Sequence, residues 1–503
     1  MLDATADPRD PPAAGPGPAR RAPADGVWAP GRRRLTAALV LTITLVAFES
    51  LAIATVMPVV ADDLGGLGLY GWVFSGFFLG SLVGIVLAGR AADRRGTRLP
   101  FVAGLALFSA GLVVGGAAPS MAVLVAGRVA QGAGAGVIPA VAYATVARSY
   151  PPDLRPRVFA VFSTAWVVPG LIGPAAASGI EHASSWRLVF LALLPLVVVA
   201  GYLAVPVLSG PAAASAAAAG TGRTRPGPAA RDDRLRDVLV LVSGVALVLG
   251  GLGAHRPLLT AALVAAGLPP AAWAFLRLVP AGTVALRPGL PAAVAARGVL
   301  TFAFFGADAY VSLAVTRGHG APTWVAGLAL TGATLTWTSG AWVQQRVVGR
   351  RGPRWLVRRG FAVIAAGIAL LAVSLGPVPV AVTVLAWTVA GFGMGIAYAP
   401  ISVTVLGTAA PGEEGRASAS LQLTDVLGVS LGTGLSGVFV ALGEGRGWAT
   451  ASSLTLAFVV MLAVAVAGAV AAGRLPVALP GVEDATLPGA GDVVPPSLDG
   501  PGA

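Results

Sequence analysis

The sequence predicts an all-α polytopic membrane protein, built as two six-helix bundles with two extra central helices (14 TM). Three observations support this fold class. The 503 residues are 56% hydrophobic and only 11% charged, a composition typical of chains that lie in a bilayer. Apolar runs long enough to cross a membrane recur along the chain. The basic residues fall almost entirely on one side of the resulting topology.

The first apolar run, residues 35–58, carries a single acid, Glu49. A carboxylate inside a membrane helix costs several kcal/mol in hydrocarbon, so such a group is kept neutral, paired or placed against an aqueous cavity. We therefore expect a membrane helix with Glu49 turned away from lipid.

Thirteen further apolar runs follow the first one. Five complete the first bundle, two weaker ones lie in the middle, and six form the last bundle. The predicted runs are 70–90, 100–117, 119–147, 157–180, 187–208, 236–253, 256–280, 295–316, 322–344, 360–377, 379–408, 416–441 and 447–472.

The composition between these runs predicts the domain boundaries. The Pro- and Arg-rich start of the chain and its Pro- and Gly-rich end have no apolar periodicity, which is typical of disorder. The predicted domains are a disordered cytoplasmic tail (1–34), an N-terminal six-helix bundle (35–208), a cytoplasmic linker plus two extra helices (209–293), a C-terminal six-helix bundle (294–472) and a disordered cytoplasmic tail (473–503).

The charge distribution predicts the orientation. All 34 basic residues are arginines. The predicted topology places 29 of them on one side, four on the other, and one, Arg128, inside a helix. This positive-inside pattern predicts a multi-pass protein of the cell membrane with both termini in the cytoplasm. It also explains the net charge of +12 without a nucleic-acid partner.

An internal repeat relates the two ends of the chain. Shifting the sequence by 259 residues places Glu49 on Asp308 and Arg157 on Arg416, and it superposes a run of glycines. The match predicts two similarly oriented halves related by an axis along the membrane normal. It is expected to hold without gaps over residues 49–179.

The loop after the second helix carries the first family motif, GRAADRRGTR over residues 89–98. Gly96 permits a positive φ in a tight turn, and Asp93 can meet a helix N-terminus or an arginine. The loop resembles the signature loop of the major facilitator superfamily. That resemblance implies a gating loop formed by Gly89, Asp93, Arg94, Gly96 and Arg98.

The fourth helix carries a second motif, LVAGRVAQGAGAG over residues 124–136. Its alternating glycines allow a neighbouring backbone to approach closely. Arg128 lies at a depth similar to that of Glu49, so a charge pair is possible. The run resembles the superfamily's second motif, which implies a role for Arg128 and Gln131 in proton coupling; a purely structural arginine is the alternative.

The fifth helix carries PGLIGPAAASG over residues 169–179, which resembles the motif of exporters through Gly170, Gly173 and Pro174. Ala177 and Ser178 replace its usual glycines. The nine-residue spacing from Glu49 to Pro58 and the two central helices resemble the fourteen-helix drug:proton antiporters. That family usually has Asp and Asn where this chain has Glu49 and Ala54.

These features predict a proton-coupled secondary transporter that exports amphipathic small molecules by alternating access. The sequence has no GxxxxGK[ST] phosphate loop, so we expect coupling to protons instead of ATP. Glu49 and Asp308 are the favoured coupling carboxylates and Asp425 is a third; each could instead be structural. The aromatic residues Phe304, Phe305, Tyr310, Trp337 and Trp387 could line a cavity or pack against lipid.

Other functions remain open. The chain could export an endogenous metabolite such as a secondary product or siderophore, or, less in keeping with its motifs, be an importer or a non-transporting receptor or scaffold. No clustered acid–base constellation indicates an enzyme, and with no cysteine and three scattered histidines we expect no metal or cofactor. The expected partners are a small-molecule substrate, protons and the bilayer, and the expected state is a monomer.

Overall fold

A computed structural model describes residues 26–29, 32–150, 154, 157–158, 161–162, 165–208, 228–254, 256–410 and 413–477. In this part of the chain the regular structure is helical throughout, which confirms the all-α class. The predicted linker up to residue 227 and most of both tails lie outside it. The helices are α1 (Arg33–Leu64), α2 (Tyr70–Arg95), α3 (Arg98–Gly116), α4 (Met121–Ser149), α5 (Val167–Ala183), α6 (Trp186–Leu191), α7 (Leu194–Val207), α8 (Pro228–Leu252), α9 (Pro257–Leu278), α10 (Leu290–Leu313), α11 (Thr323–Ser374), α12 (Ala381–Thr408), α13 (Glu414–Arg446) and α14 (Thr450–Ala471).

Within the described residues, 12 helices are long and apolar enough to cross a membrane. One of them, α11, is interrupted at Gly352, whose φ of 71° and ψ of 167° are not helical, so its 52 residues form two segments that meet at a turn. Helix α5 has 17 residues and falls just short of a full span. The predicted span 157–180 lies partly outside the described residues. Fourteen crossings therefore stay a prediction.

The repeat is present, but its predicted gap-free register is wrong. Gly84 of α2 faces the backbone of Ala133 on α4, and Gly340 of α11 faces that of Phe392 on α12. Ala133 and Phe392 differ by the predicted 259 positions, whereas Gly84 and Gly340 differ by only 256. Equivalent residues in the second helices of the two repeats are thus 256 positions apart, three fewer than the 259 that separate equivalent residues in the first and in the fourth helices.

The corrected register aligns the two basic turns. Residues 90–98 read RAADRRGTR and residues 346–354 read RVVGRRGPR. Gly96 and Gly352 fall on each other and have nearly the same positive φ, 73° and 71°. A left-handed φ is accessible to glycine at little cost, so both repeats reverse direction at the same residue type. The predicted conformation of Gly96 is confirmed.

We call α1–α7 the first helix group, α10–α14 the second helix group and α8–α9 the central hairpin. The arginine-rich ends of the helices are the inner ends and the opposite ends are the outer ends. Helix α2 packs against α13, and α5 packs against α11, which joins the two groups. The hairpin lies beside α2 and α13. Glycines at these contacts replace side chains with backbone, as is common between membrane helices.

Candidate transport site

An ion pair lies in the interior of the first helix group. The guanidinium of Arg128 on α4 donates to the carboxylate of Glu49 on α1, and both side chains are almost completely buried. Arg128 Nη1 also donates to Gln131 Oε1 at 2.7 Å, and Arg128 Nε donates to the carbonyl oxygen of Val73 at 3.2 Å. The guanidinium stacks 4.2 Å from the ring centroid of Phe77. The site therefore holds both charges away from lipid.

The second helix group repeats this arrangement with different chemistry. Asp308 occupies the position of Glu49, and Trp387 occupies that of Arg128. Trp387 Nε1 donates to Asp308 Oδ1 at 2.7 Å. Trp387 is fully buried, but Asp308 is only half-buried. The two repeats thus place an acid against the same helix position, but one acid has a cationic partner and the other a neutral donor.

Aromatic rings extend from Asp308 along the second group. The rings of Trp387 and Phe304 stack with centroids 4.9 Å apart, and Phe304 meets Trp337 edge to face at 5.8 Å. Trp337 in turn lies 5.5 Å from Tyr398. Trp337 and Tyr398 are half-buried, so this aromatic row presents apolar surface as well as packing. Offset and edge contacts of this kind stabilise aromatic clusters.

The far end of the aromatic row meets a second charge cluster, around Asp425. Tyr398 Oη donates to Asp425 Oδ2 at 3.1 Å, and its ring lies 3.5 Å from the guanidinium of Arg297. Arg297 Nη1 is 3.7 Å from Asp425 Oδ1, and Arg297 Nη2 donates to the carbonyl oxygen of Tyr398 at 2.8 Å and to Ser402. Asp425 is 23% exposed. This cluster has no counterpart in the first group, where Ala38, Pro139 and Trp166 occupy the matching positions.

Arg297 is a residue that the sequence analysis missed. The predicted topology places it among the inner-side arginines and has Arg128 as the only arginine inside a helix, which is wrong. Arg297 lies in the second turn of α10 and is 1% exposed. The predicted apolar run begins only at residue 295, so the pattern predicts Arg297 as a residue that flanks the membrane. The signal that could have found it is an acid, Asp425, inside the apolar run of another helix of the same bundle.

The exporter-like motif of α5 lies at the contact with the second group. Gly170 meets the side chain of Thr334 on α11 so closely that a β-carbon would overlap it. Pro174 packs against Gly327, and Thr323 Oγ1 donates to Glu181 Oε2 at 3.2 Å. Gly173 instead faces α1 at ordinary contact distance. The motif therefore joins the two groups, and no hydrogen bond of its described residues reaches Glu49 or Asp308.

The basic loop lies at the inner end, away from the acids. Gly89, Arg94 and Arg98 are exposed, and Gly96 ends α2. The side chain of Asp93 is outside the described set. Gly89 follows Phe77 by twelve residues on the same helix, a rise of about 18 Å. The loop therefore does not contact the Glu49–Arg128 pair.

The outer ends of the two groups meet in a close contact that we call the outer seam. It is formed by Tyr70, Gly71 and Ser75 of the first group and by Tyr310, Thr433 and Gly437 of the second. A β-carbon on Gly71 would lie 2.7 Å from the α-carbon of Gly437, so the backbones of α2 and α13 touch. Tyr70 Oη donates to the carbonyl oxygen of Ala309 at 3.3 Å.

Two polar contacts flank the outer seam. Arg317 Nε donates to Asp62 Oδ1 at 3.0 Å, and the Gly68 amide donates to Glu444 Oε2 at 2.6 Å. Each contact joins the first group to the second near the outer surface. The structure is thus closed on the outer side.

Comparison with known proteins identifies the family. The profile described as the Major Facilitator Superfamily matches residues 39–433 of the chain. This chain belongs to the Major Facilitator Superfamily. The assignment confirms the resemblance found in the motifs, and it makes the chain a multi-pass membrane transporter and not an enzyme.

Relatives in this superfamily include efflux proteins. The chain is 29% identical over 440 residues to a probable multidrug-efflux transporter of Mycobacterium tuberculosis. The aligned region covers 84% of this chain and 91% of that protein. It is 34% identical over 181 residues to the cephamycin export protein CmcT of Amycolatopsis lactamdurans, covering 35% of this chain and 37% of that protein.

The fold also matches solved superfamily structures. A bacterial homologue of the human lysosomal transporter Spinster, in an inward-facing and unoccupied conformation, superposes with a TM-score of 0.59. The match covers 88% of this chain and 96% of that one at 17% identity. At this identity the likeness concerns the facilitator fold alone.

Proposed function

We propose that this chain exports amphipathic small molecules from the cytoplasm in exchange for protons. Cargo and protons would cross the cell membrane by alternating access, with both termini of the chain cytoplasmic. Membership of the superfamily and the efflux function named for its relatives support this proposal. The closed outer seam supports an inward-facing state of the same cycle.

One observation carries the proposal: the two repeat-related acids have different partners. Glu49 forms an ion pair with Arg128, and both side chains have almost no exposed surface. Asp308 is half-buried and accepts its hydrogen bond from the neutral indole of Trp387. Taking one member from a buried ion pair leaves an uncompensated charge, which costs about 3–5 kcal/mol. Glu49 is therefore held in place, whereas Asp308 exchanges its bound proton without leaving a buried cation behind.

The aromatic row supplies the apolar part of the proposed site. A cationic amphipathic compound would place its charge at Asp308 and its rings against the half-buried faces of Trp337 and Tyr398. Cation–π and stacking contacts with such rings contribute of the order of 1 kcal/mol each. Binding of the compound and binding of a proton then compete for Asp308, which is the condition for exchange.

Arg128, Gln131 and Asp425 have secondary roles in this proposal. Arg128 binds both Glu49 and Gln131 and holds Glu49 in place within the first group, so a movement of α1 relative to α4 would have to break this contact. Asp425 lies at the inner end of the aromatic row and is partly exposed, which suits a first contact for compounds that enter from the cytoplasm. The basic loop and the α5 motif would guide the movement of the two groups.

Efflux from whole cells tests this function. Cells that express the wild-type chain are loaded with a fluorescent cationic dye, and its loss is followed with and without collapse of the proton gradient. We expect gradient-dependent efflux from the wild type and strongly reduced efflux from Glu49→Gln and Asp308→Asn at matched membrane levels. Glu413→Gln, an exposed acid outside the site, is the matched control. Efflux by both site variants at the wild-type rate would contradict the proposed roles of the acids.

Export of an endogenous product is a second candidate, favoured by the similarity to the cephamycin export protein. It predicts that disruption of the gene changes the compounds released into the medium while dye resistance stays unchanged. Comparing the released compounds of disrupted and complemented cells by mass spectrometry separates the two candidates.

A further inference from the structure

A lateral groove lies between the central hairpin and the outer end of α13, away from the acids of the proposed site. Its volume is about 780 Å³, within the range of pockets that hold small ligands. Its long wall is one stripe of α9, because Pro257, Ala261, Ala265 and Leu268 follow at three- and four-residue spacing. Small side chains on this stripe and Gly445 on α13 leave the space unfilled.

The length and direction of the groove match one leaflet of a bilayer. The stripe from Pro257 to Leu268 rises about 17 Å along α9. Half of a hydrocarbon core is about 15 Å thick. Pro257 begins α9 at its outer end, so the groove runs from the outer surface to about the bilayer midplane. Leu268 is 54% exposed, which places the groove against the surrounding lipid.

The mouth of the groove carries a cation at headgroup depth. Arg446, the last residue of α13, lines the groove and lies 5.3 Å from the ring of Trp448. Trp448 is 43% exposed, and tryptophans gather at the membrane–water interface. Among the described lining residues Arg446 is the only charged one. The neighbouring acid Glu444 accepts from the Gly68 amide in the outer seam.

We propose that this groove binds one anionic phospholipid from the leaflet at the outer ends, with an acyl chain along α9 and the phosphate at Arg446. The acyl chains of the bilayer are as apolar as the groove, so the acyl chain of the bound lipid adds little selectivity. Selectivity comes from the headgroup, because one arginine near the surface corresponds to about a fivefold preference for an anionic lipid. Helix α13 also forms the outer seam, so the lipid contacts an element that closes the outer side.

Native mass spectrometry of the purified full chain tests this site. The probes are phosphatidylglycerol and phosphatidylcholine with the same acyl chains. We expect one retained phosphatidylglycerol per chain and about a fivefold preference for it. The double variant Ala261→Trp/Ala265→Trp fills the groove and should lose that lipid. Ala262→Trp, which is exposed on α9 outside the groove, is the matched control and should keep it.

Arg446→Gln separates the headgroup contact from the groove. This variant should still retain one lipid but bind phosphatidylglycerol and phosphatidylcholine equally. The control Arg474→Gln, at the inner end, should keep both the bound lipid and the preference for phosphatidylglycerol. Equal lipid retention by the filled and wild-type grooves would overturn the proposal, as would a preference unchanged in Arg446→Gln. Two other outcomes would also overturn the proposal. One is displacement of the retained lipid by an exported dye, and the other is a dimer of the protein with no bound lipid. The assay needs no transport activity, so its outcome is independent of the export proposal.

Discussion

Asp308 and Glu49 show how one repeated position can have two different properties. The backbone places both acids on the first helix of a repeat and opposite the same position of the fourth helix. The difference comes from one side chain, which is Arg128 in the first repeat and Trp387 in the second. The sequence alone predicts the acids and the possible Glu49–Arg128 contact. It does not predict that Asp308 contacts Trp387, because the prediction of contacts rests on opposite charges and the indole is neutral.

Removal of one member of the Glu49–Arg128 pair should strongly destabilise the first group. Because both side chains are buried, Glu49→Gln and Arg128→Gln each leave one charge unpaired, and we expect each to lower stability by about 3–5 kcal/mol. The double variant should lose much less than the sum, since it leaves no unpaired charge. Thermal unfolding of the four proteins in detergent measures this cycle. Additive losses would show that the two side chains do not act as a pair.

At the scale of elements, the outer seam depends on backbone contact between α2 and α13. A β-carbon on Gly437 would lie 2.6 Å from the α-carbon of Gly71, a distance that side-chain motion cannot relieve. Gly415, at the inner end of the same helix α13, has no atom within 4 Å of its β-carbon position and is a matched control. The seam should therefore be sensitive to one methyl group at Gly437 and insensitive to one at Gly415.

Cysteine labelling tests the seam, since the natural chain has no cysteine. Ser75 is fully buried in the seam, so Ser75→Cys should react slowly with an impermeant maleimide added from outside. Adding Gly437→Ala should raise the labelling rate severalfold because the outer side no longer closes. Adding Gly415→Ala should leave the rate unchanged. Equal labelling rates with and without Gly437→Ala would contradict a closed contact at this point.

The turn between α10 and α11 carries a pH-dependent contact. His319 Nε2 lies 2.8 Å from Thr383 Oγ1, and burial lowers the pKa of His319 below its ordinary value of 6.5. The unfolded chain therefore binds more protons than the folded chain near and below pH 6.5, so stability falls as the pH falls through this range. We expect His319→Gln to lose less thermal stability than the wild type between pH 7.5 and 5.5. Equal losses would contradict this effect.

At the scale of the whole molecule, periodicity and charge predicted most of the fold. Long apolar runs predict where the helices lie, because crossing a bilayer demands length and hydrophobicity. They do not predict all of the ends, since α1, α8 and both segments of α11 extend well beyond the predicted runs. They did not predict the three-residue offset of α2 against α4, since glycines are too frequent to show a gap by themselves. The apolar runs also do not predict the Arg297–Asp425 cluster, because it depends on which helices are neighbours. The division into domains and the orientation of the termini stay proposals.

The central claim is that Asp308 exchanges a proton for cargo, and proton flux in proteoliposomes tests it most directly. Asp308→Asn keeps an oxygen for the Trp387 indole, so the fold and the aromatic row should remain while titration is lost. With a pH-sensitive dye inside the vesicles, addition of a cationic substrate should drive proton movement in the wild type and none in Asp308→Asn, with substrate binding still measurable in both. Substrate-driven proton movement of equal size in the two proteins would contradict the claim.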